Sequence, residues 1–442
     1  MSRLLALLGP QVVGRGRPRR AVSGQPLRIS LCIALLAGLT ACGMLAVKEQ
    51  QAKLDATCRL GGHVDAERVD AAPLIVVLAR LKGEAWQVAD HVVLERPGLW
   101  GFAASAGTYG VVAFQDLNRD LKLQPDEPYL RAEKERLITC KPGERRMDLA
   151  LRVPADGRSS FRETLDVSAL QARTFSQQLE LSLAQVTAVG EVANLSDARF
   201  EESIAEDGLW RPFDFLFKGH PGVYFLGAYD STKIPVLFVH GINGTPQNFR
   251  TLIERLDRRR FQPWVYYYPS GAALPQVADH LTQTMRKLQV QYGFPTFAVV
   301  AHSMGGLVSR GFLQRYREGG GGAAVPLFVS ISTPWDGHKA AEHSARAPVA
   351  MPRVFTDMSP GSEYLRSLYG RDPGVPHYLL FSFRHTGVFG GEASDGTVTV
   401  ASQLRTAAQK SAVRVEGFDE THMSVLEAAA VSERLNELLA RM

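Results

Sequence analysis

The sequence is poor in cysteine and, beyond its first 41 residues, in net charge. The chain of 442 residues has four cysteines and a formal net charge of +5. Residues 1–41 contain six arginines and no acidic residue, so removal of this segment leaves a charge of −1. A nearly neutral chain lacks the basic surface that binds nucleic acid through its phosphate groups. We therefore expect no nucleic-acid partner.

A basic flank followed by an apolar run lies near the amino terminus. The segment "RISLCIALLAGLTACG" (28–43) ends in small residues around Cys42, which is typical of a secretory signal. Its "LTAC" resembles the processing box of bacterial lipoproteins, in which a diacylglyceryl group is attached to the cysteine and the chain is cut before it. The resemblance implies a signal peptide at 1–41, a lipid on Cys42 and a polar tether at 42–57.

An uncleaved membrane anchor is the alternative for the same run, because residues 29–47 are long enough to cross a bilayer. Both interpretations place the rest of the chain outside the cytoplasmic membrane, since the arginines stay inside. We expect a membrane-anchored chain that faces the periplasm. Gly43 is not the aspartate of some inner-membrane lipoproteins, which by the same resemblance favours the outer membrane.

The four cysteines divide between the signal and the mature chain. Cys32 lies inside the signal, and Cys42 is the expected lipid site. Cys58 and Cys140 are left as one even pair in an oxidising compartment, where disulfides form. We expect a disulfide between them, with two buried free thiols as the alternative.

Residues 58–155 predict a small β domain. Short β-branched and apolar runs alternate with turn residues, and no helical periodicity competes with them. We expect a β-sandwich-like fold. The predicted strands are "LIVVLAR" (74–80), "QVADHVVL" (87–94), "YGVVAFQD" (109–116) and "RMDLALRV" (146–153).

One loop of this domain has acidic residues at the spacing of a calcium loop. In "DLNRDLKLQPDE" (116–127), oxygen-bearing side chains stand at positions one, three, five and twelve. The sixth position is Leu121, where a calcium loop needs glycine, and the flanks are strands. We favour a solvated hairpin loop held by Asx turns and keep a calcium site as the alternative. The candidate ligands are Asp116, Asn118, Asp120 and Glu127.

The rest of the chain predicts a connector and a second domain. Residues 156–210 are polar and helix-prone, and we interpret them as a helical connector. From 211 to 442, buried apolar strands alternate with helices, which indicates a mostly parallel sheet covered on both faces. The predicted strands are 236–240, 263–268, 296–302, 325–332, 376–383 and 411–417, and the predicted helices are 247–258, 275–292, 305–316 and 424–441.

A serine between small residues stands where one of these strands passes into a helix. In "VVAHSMGGLVSR" (299–310), Ser303 is flanked at two residues' distance by Ala301 and Gly305. A nucleophile elbow needs this context, because the turn is too tight for larger side chains. His302 adjoins the serine, and we expect its side chain to point away. We predict that Ser303 is a nucleophile.

A serine hydroxyl reacts only when a base takes its proton. His422 in "DETHMSVL" lies between the last strand and the last helix, where the base of such a site is expected. Asp395 in "GEASDGTVTV" follows the preceding strand and is the predicted acid that orients the imidazole. Asp336 in "STPWDGH" is the competing acid, and an Asp-Gly turn without a catalytic role is the alternative for Asp395.

The same chemistry needs backbone donors for a developing oxyanion. The N–H of Met304, directly after the nucleophile, is one expected donor. The second is the N–H of Ile242 in the loop "HGING" (240–244), where glycines let the backbone approach closely. We expect His240 to order that loop.

Five motifs together resemble the lipase/esterase branch of the α/β-hydrolase superfamily, and they are similar to the inositol-deacylase-like lipases. They are "VLFVHGINGTPQNF", "VVAHSMGGLVSR", "ISTPWDGH", "SDGTVTVASQ" and "THMS". The resemblance covers residues 211–442 and implies the α/β-hydrolase fold, the triad Ser303, Asp395 and His422, and no cofactor. It also implies that residues 337–375 are a cap or lid insertion that shapes an acyl pocket.

The sequence therefore predicts a serine lipase or esterase that acts through an acyl-enzyme on lipid or other acyl esters at the cell envelope. An acyltransferase with the same triad is the alternative within enzymes. A non-catalytic envelope binding protein with a hydrolase fold is the alternative from another class. The sequence does not determine the oligomeric state or the acyl chain length.

Overall fold

The computed structural model describes the chain from residue 48 onward with several gaps. The described residues are 48–49, 52, 56–67, 72–82, 85–130, 137–155, 165–167, 187–318, 320, 322–345, 351–384 and 392–442. The predicted signal and the lipid site at Cys42 lie outside them. In this described part, no helix is both long and apolar enough to cross a membrane.

Ten strands are described between residues 58 and 166. They are β1 (Cys58–Ala66), β2 (Leu74–Lys82), β3 (Ala85–Leu94), β4 (Gly98–Ala104), β5 (Gly107–Gln115), β6 (Lys122–Leu123), β7 (Tyr129–Leu130), β8 (Ile138–Cys140), β9 (Arg145–Val153) and β10 (Leu165–Asp166). One sheet has the order β4-β1-β9, and a second has the order β3-β2-β5-β7 with β8 paired to β5. The short strands β6 and β10 pair with each other.

A shared apolar core lies between these two sheets, as expected for a sandwich. Leu60 of β1 and Trp100 of β4 pack in one cluster with Val76 of β2 and Val111 of β5. The opposite face of β2 and β5 packs in a separate cluster that includes Val290 from a helix of the second half. The alternation of strand side chains between faces explains how one strand serves two cores.

A disulfide joins Cys58 at the start of β1 to Cys140 at the end of β8, with the two Cα atoms 6.0 Å apart. Both residues are buried in the core of the sandwich. The bond closes a loop of 82 residues, so it links two strands that are distant in sequence. This is the pairing that the cysteine count favours.

The carboxyl-terminal half is one large sheet with helices. Its strands are β11 (Ala188–Val192), β12 (Gly222–Phe225), β13 (Ile234–Val239), β14 (Phe261–Tyr267), β15 (Thr296–His302), β16 (Ala324–Ile331), β17 (His377–Ser382) and β18 (Arg414–Phe418). Its helices are α1 (Glu202–Trp210), α2 (Pro212–Phe217), α3 (Arg250–Glu254), α4 (Leu274–Tyr292), α5 (Met304–Glu318), α6 (Lys339–Ala345), α7 (Arg353–Asp357), α8 (Glu363–Ser367), α9 (Val400–Gln403), α10 (Thr406–Ser411) and α11 (Ala429–Ala440). Short 3₁₀ turns lie at Ala198–Phe200, Pro246–Phe249 and Ser424–Leu426.

The sheet has the order β11-β12-β14-β13-β15-β16-β17-β18. Only the β12–β14 pair is antiparallel among its described pairs. Leu237 and Val239 of β13 face a core with α4 and α5, whereas Val236 and Phe238 face a core with α3 and α11. The central strands are therefore buried on both faces, which explains their continuous apolar sequences.

The expected connector at 156–210 is only partly helical. Glu202–Trp210 form α1, but Ala188–Val192 are a strand that adds to the large sheet through β12. This corrects the interpretation of residues 188–192 as helical. Residues 156–164 and 168–186 of the predicted connector lie outside the described residues. The large sheet thus begins before residue 211.

Candidate active site

Ser303 lies at the carboxyl end of β15, on the turn that leads directly into α5. Its φ of 53° is in the left-handed region, which a residue other than glycine adopts only under constraint. The backbone N–H of Ser303 donates to the carbonyl of Ile331 on the neighbouring strand, at 2.8 Å. The strained conformation is thus held by the sheet, and it presents the hydroxyl at the sheet edge where parallel strands end.

Glycine is required beside this turn for steric reasons. A Cβ atom on Gly305 would lie 2.2 Å from the carbonyl oxygen of Val239, and one on Gly241 would lie 2.8 Å from the Cβ of Ser303. Ala301, two residues before the serine, is fully buried. The small residues of the motif therefore let the strand, the helix and the 240–244 loop meet around one hydroxyl.

The structure brings the three predicted side chains into one hydrogen-bonded chain. Nε2 of His422 is 2.9 Å from Oγ of Ser303, and Nδ1 of His422 is 2.8 Å from Oδ2 of Asp395. With Nδ1–H donating to the carboxylate, Nε2 accepts the serine proton, which is the tautomer a general base needs. All three residues are at most 7% exposed. The N–H of His422 also donates to the backbone carbonyl of Asp395, at 2.9 Å.

The carboxylate of Asp395 is stabilised in its ionised form. Burial alone would raise its pKa, but hydrogen bonds from His422, Val398 and Ser382 and the charge of the imidazole outweigh burial. The pKa of Asp395 therefore lies below its usual value. An ionised Asp395 can orient the imidazole and stabilise the imidazolium that forms during proton transfer.

Asp336, the competing acid, has a different environment. Its carboxylate lies 3.5 Å from Nη1 of Arg405, and its side chain is 56% exposed. It therefore makes a surface ion pair, while Asp395 occupies the place beside His422. Both acids follow strands of the same sheet, and the geometry agrees with the prediction that favours Asp395 over Asp336.

The two predicted oxyanion donors belong to residues next to the serine turn, since Met304 follows Ser303 and Ile242 follows Gly241, which packs against the Ser303 side chain. Met304 is the first residue of α5, where a backbone N–H has no acceptor within its own helix. Among the hydrogen bonds of the described residues, none uses the N–H of Ile242 or of Met304. The neighbouring N–H of Asn243 is occupied, since it donates to Oγ of Ser270 at 3.0 Å. Two donors thus stay available beside Ser303 for a developing negative charge.

The loop that carries Ile242 is held by the end of β14. The hydroxyl of Tyr268 donates to the carbonyl of His240 at 2.6 Å, and the two rings stack with centroids 4.2 Å apart. Nδ1 of His240 lies 2.8 Å from the carbonyl of Gly241. Burial lowers the pKa of His240 to about 4, so its ring is neutral near pH 7. His240 therefore lies within the loop's hydrogen-bond network, and Tyr268 and Ser270 are supports that sequence analysis missed.

The expectation that the His302 side chain points away from the site is wrong. Its Nε2 lies 2.8 Å from the backbone carbonyl of His422, and the two imidazole rings have centroids 4.7 Å apart. Burial and the neighbouring imidazole lower the pKa of His302 to about 3, so Nε2–H of a neutral ring donates to that carbonyl. The residue before the nucleophile thus supports the loop that carries the base.

Among its described residues, the segment expected to be a cap contains three short helices, and the part after residue 350 is tied to the core. The buried side chain of Arg310 on α5 donates to the carbonyl of Leu368 at 2.7 Å. Gln314, one turn further, donates to the same carbonyl at 2.9 Å. On the other side, Asp357 accepts the N–H of Leu274 at 2.7 Å. Residues 351–371 are therefore packed as part of the domain.

The loop at 116–127 uses its acidic oxygens for its own backbone. Asp116 accepts the N–H groups of Asp120 and Leu121, at 3.1 and 3.0 Å. Glu127 accepts those of Leu117 and Gln124, at 2.8 and 3.0 Å. Over the described residues, no group of three or more His, Cys, Asp or Glu side chains is arranged to hold a metal ion. The hairpin held by its own side chains is the interpretation that this geometry favours.

The arrangement of a hydroxyl, an imidazole, a carboxylate and two backbone donors can perform nucleophilic acyl transfer. Residues 270–439 match the family model described as "Alpha/beta hydrolase of unknown function (DUF915)". The chain has the α/β-hydrolase fold. The match covers less than half of the chain and includes Ser303, Asp395 and His422. No curated protein matches this α/β-hydrolase chain.

Several solved structures match this chain at low sequence identity. The lin2722 gene product of Listeria innocua is 16% identical, with a TM-score of 0.37 over 48% of this chain and 95% of its own. Lipase BlEst2 of Bacillus licheniformis in mature form is 16% identical, with a TM-score of 0.38 over 48% and 94%. A structure from a study of carboxylesterases of Nitrososphaera gargenis is 15% identical, with a TM-score of 0.34 over 50% and 94%. Similarity at this level does not transfer a substrate.

Proposed function

We propose that this protein is a serine carboxyl-ester hydrolase that acts through an acyl-enzyme on lipid or other acyl esters at the cell envelope. One observation carries the proposal. Ser303, His422 and Asp395 form a continuous hydrogen-bonded chain, and the serine has the strained backbone of a nucleophile elbow. A serine that is only structural has no need of a positive φ beside a histidine–carboxylate pair.

In the first half of the reaction, Oγ of Ser303 attacks the ester carbonyl while its proton moves to Nε2 of His422. The carbonyl oxygen becomes an oxyanion that accepts the N–H groups of Ile242 and Met304. Collapse of this intermediate breaks the bond to the alcohol oxygen, and His422 gives that oxygen its proton. The products are a free alcohol and an acyl group on Ser303.

In the second half, water takes the place of the alcohol. His422 removes a proton from water, the hydroxyl attacks the acyl carbonyl, and the same two N–H groups stabilise the oxyanion. The bond to Oγ of Ser303 then breaks, His422 returns the proton, and the free acid leaves. Asp395 stays ionised throughout and stabilises the imidazolium in both halves.

A lipid-like ester is the substrate class that the chain favours. The amino-terminal segment around Cys42 predicts a lipid anchor, which would hold the enzyme at a membrane facing the periplasm. The cap residues 351–371 cover the domain on the side of the 240–244 loop, since Val354 donates its N–H to Gly271 beside Ser270. Such an insertion is where an acyl chain would be accommodated.

The test uses the full chain in detergent with p-nitrophenyl esters from short to long acyl chains. We expect hydrolysis that disappears in Ser303→Ala, and covalent labelling of the wild type by a fluorophosphonate at Ser303. The dependence on chain length separates an esterase from a lipase. Turnover retained by Ser303→Ala would refute the assignment of the nucleophile.

Product analysis tests the two alternatives. Mass spectrometry of reactions with an added alcohol or lysolipid shows whether water or the alcohol accepts the acyl group. Transfer that dominates over hydrolysis at low acceptor concentration would make the protein an acyltransferase. A folded protein that neither turns over any ester nor reacts with the fluorophosphonate would instead be a binding protein with a hydrolase fold.

A further inference from the structure

The carboxylate of Asp395 accepts more hydrogen bonds than contact with His422 alone requires. Its Oδ1 accepts the N–H groups of Thr397 and Val398, at 3.0 and 2.7 Å. Those bonds are local and fix the turn in which the acid lies. Its Oδ2, the oxygen that faces the imidazole, accepts side-chain donors from two other elements, β17 and α9.

The first of these donors is the last residue of β17. The hydroxyl of Ser382 donates to Oδ2 of Asp395 at 2.7 Å, and Ser382 is fully buried. Oγ of Ser332 lies 2.6 Å from Oγ of Ser382. A hydroxyl has one hydrogen, so with Ser382 donating to the carboxylate, Ser332 must be the donor to Ser382. Two serines at the ends of neighbouring strands thus form a chain that ends on the acid.

The second donor lies on α9. Nε2 of Gln403 is 3.2 Å from Oδ2 of Asp395 and 2.9 Å from the carbonyl of Ser382. Oε1 of the same amide accepts the N–H of Ser382 at 3.0 Å. Gln403 is fully buried. Its amide therefore bonds to the N–H and the carbonyl of Ser382 and also donates to the carboxylate of Asp395.

We propose that Ser382 and Gln403 are positioning residues for the acid of the triad, and that Ser332 acts through Ser382. This inference rests on the proposed serine-hydrolase function and adds two residues that its mechanism does not include. They share the negative charge of Oδ2 with the Nδ1–H of His422 and hold that oxygen in line with the imidazole. Both side chains are fully buried and direct their donors to the one carboxylate oxygen that faces the imidazole.

The proposal has a consequence for the pH dependence of the reaction. A neutral donor on Oδ2 withdraws negative charge from the carboxylate that faces the imidazole. When the donor is removed, the carboxylate attracts the protonated base more strongly. The acid limb of the kcat/KM profile, which reports protonation of the free enzyme's base, then moves to higher pH. A residue that only supports the fold has no such effect.

The test compares Ser382→Ala with Ser330→Ala in the full chain. Ser330 is also a fully buried serine, and its hydroxyl is 2.8 Å from Nε2 of His377, away from the triad. We expect Ser382→Ala to lower kcat about tenfold and to move the acid limb up by about 0.5 pH unit. We expect Ser330→Ala to leave both quantities unchanged.

A second readout does not depend on turnover. We expect the proton between Nδ1 of His422 and Oδ2 of Asp395, which are 2.8 Å apart, to give a far-downfield NMR resonance that can be followed in protein labelled with ¹⁵N-histidine. In Ser382→Ala we expect this resonance to move downfield, because the remaining hydrogen bond becomes stronger. Gln403→Met should move it in the same direction. Ser330→Ala should leave it in place.

A double substitution tests the part assigned to Ser332. We expect Ser332→Ala to have a smaller effect than Ser382→Ala, and the double variant to equal Ser382→Ala, since Ser332 acts through the missing hydroxyl. Effects that simply add would overturn this part of the proposal.

The proposal as a whole is overturned if Ser382→Ala and Gln403→Met match Ser330→Ala in both the pH profile and the resonance. Failure of the proposed function has a different signature. In that case Ser303→Ala retains turnover, while the resonance of the resting protein still reports whether Ser382 and Gln403 act on Asp395.

Discussion

Asp395 and Glu127 are both buried carboxylates that accept backbone hydrogen bonds, yet their pKa values move in opposite directions. Each residue is about 1% exposed. Burial raises the pKa of Glu127 to about 7, because its two backbone donors do not offset desolvation and the nearby charges of Asp116 and Asp120. At Asp395, the imidazole of His422 reverses the balance and the pKa is lowered. Asp395 receives hydrogen bonds from His422 and several other donors together with a favourable charge interaction, whereas Glu127 has two backbone donors beside two like charges, and this difference separates a carboxylate suited to chemistry from one that shapes a loop.

The largest expected effect is a loss of activity when Asp395 is replaced. Asp395→Asn keeps the shape of the side chain and removes its charge, so the imidazole loses its orientation and its correct tautomer. We expect kcat to fall about 10⁴-fold, as such a replacement does in serine hydrolases in general. Steady-state kinetics on the best ester measures it. Asp336→Asn is the matched control and should stay within about twofold, since the carboxylate of Asp336 forms a surface ion pair with Arg405. The reverse ranking would transfer the role of the acid to Asp336.

The second-largest expected effect is on the free energy of unfolding, through the loop at 116–127. Asp116→Ala removes the acceptor for the N–H groups of Asp120 and Leu121, and Leu121 has a φ of 60° that the loop must maintain. We expect a loss of about 2–3 kcal/mol in the free energy of unfolding and unchanged kcat. Denaturant unfolding and amide hydrogen exchange of Leu121 measure it. Unchanged exchange at Leu121 would show that the loop does not depend on this carboxylate.

A smaller effect is the pH dependence that Glu127 causes. A carboxyl group with a pKa raised in the folded state stabilises the protein most below its unfolded pKa, and that stability is lost as pH rises from about 4.5 to about 7. Glu127→Gln should therefore have a lower free energy of unfolding than the wild type at pH 5. At pH 8 this difference between the two proteins should be smaller by about 1–2 kcal/mol. Asp126→Asn, at the exposed neighbouring residue, is the matched control variant. A constant gap for Glu127→Gln would contradict the raised pKa.

The smallest expected effect is that of calcium. The oxygens of Asp116 and Glu127 already accept backbone hydrogen bonds, so a cation would have to displace them. We expect millimolar calcium to change the melting temperature of the full chain by less than about 1 °C. A rise of several degrees in the melting temperature that disappears in Glu127→Gln would instead identify the loop as a calcium site. Glu127 would then be a metal ligand as well as an acceptor that shapes the loop.

Much of the active site could be predicted because its chemistry imposes an order on the chain. Ser303 needs small neighbours and a strand–helix turn, and the acid and base must follow later strands. These are local patterns that a sequence carries. Ser382 and Gln403 carry no such pattern, since a serine at the end of a strand and a glutamine on a short helix are ordinary. Their contact with Asp395 exists only once β17 and α9 have packed together.

The errors in the fold have a similar cause. Ala188–Val192 form a strand of only five residues with a glycine and a glutamate inside it, so its apolar pattern is weak. Its stability comes from pairing with Gly222–Phe225, about thirty residues away, which a local reading does not include. The central strands were predictable because burial on both faces leaves a continuous apolar run.

The attachment of residues 351–371 to Arg310, Gln314 and the start of α4 bears on how substrate preference can change. A segment held by buried side-chain to backbone bonds has one packing, so the space next to the site has walls of fixed shape. Preference for one acyl group over another is then a question of steric fit. Variation among natural relatives, or selection in the laboratory, would then have to alter the residues that form those walls.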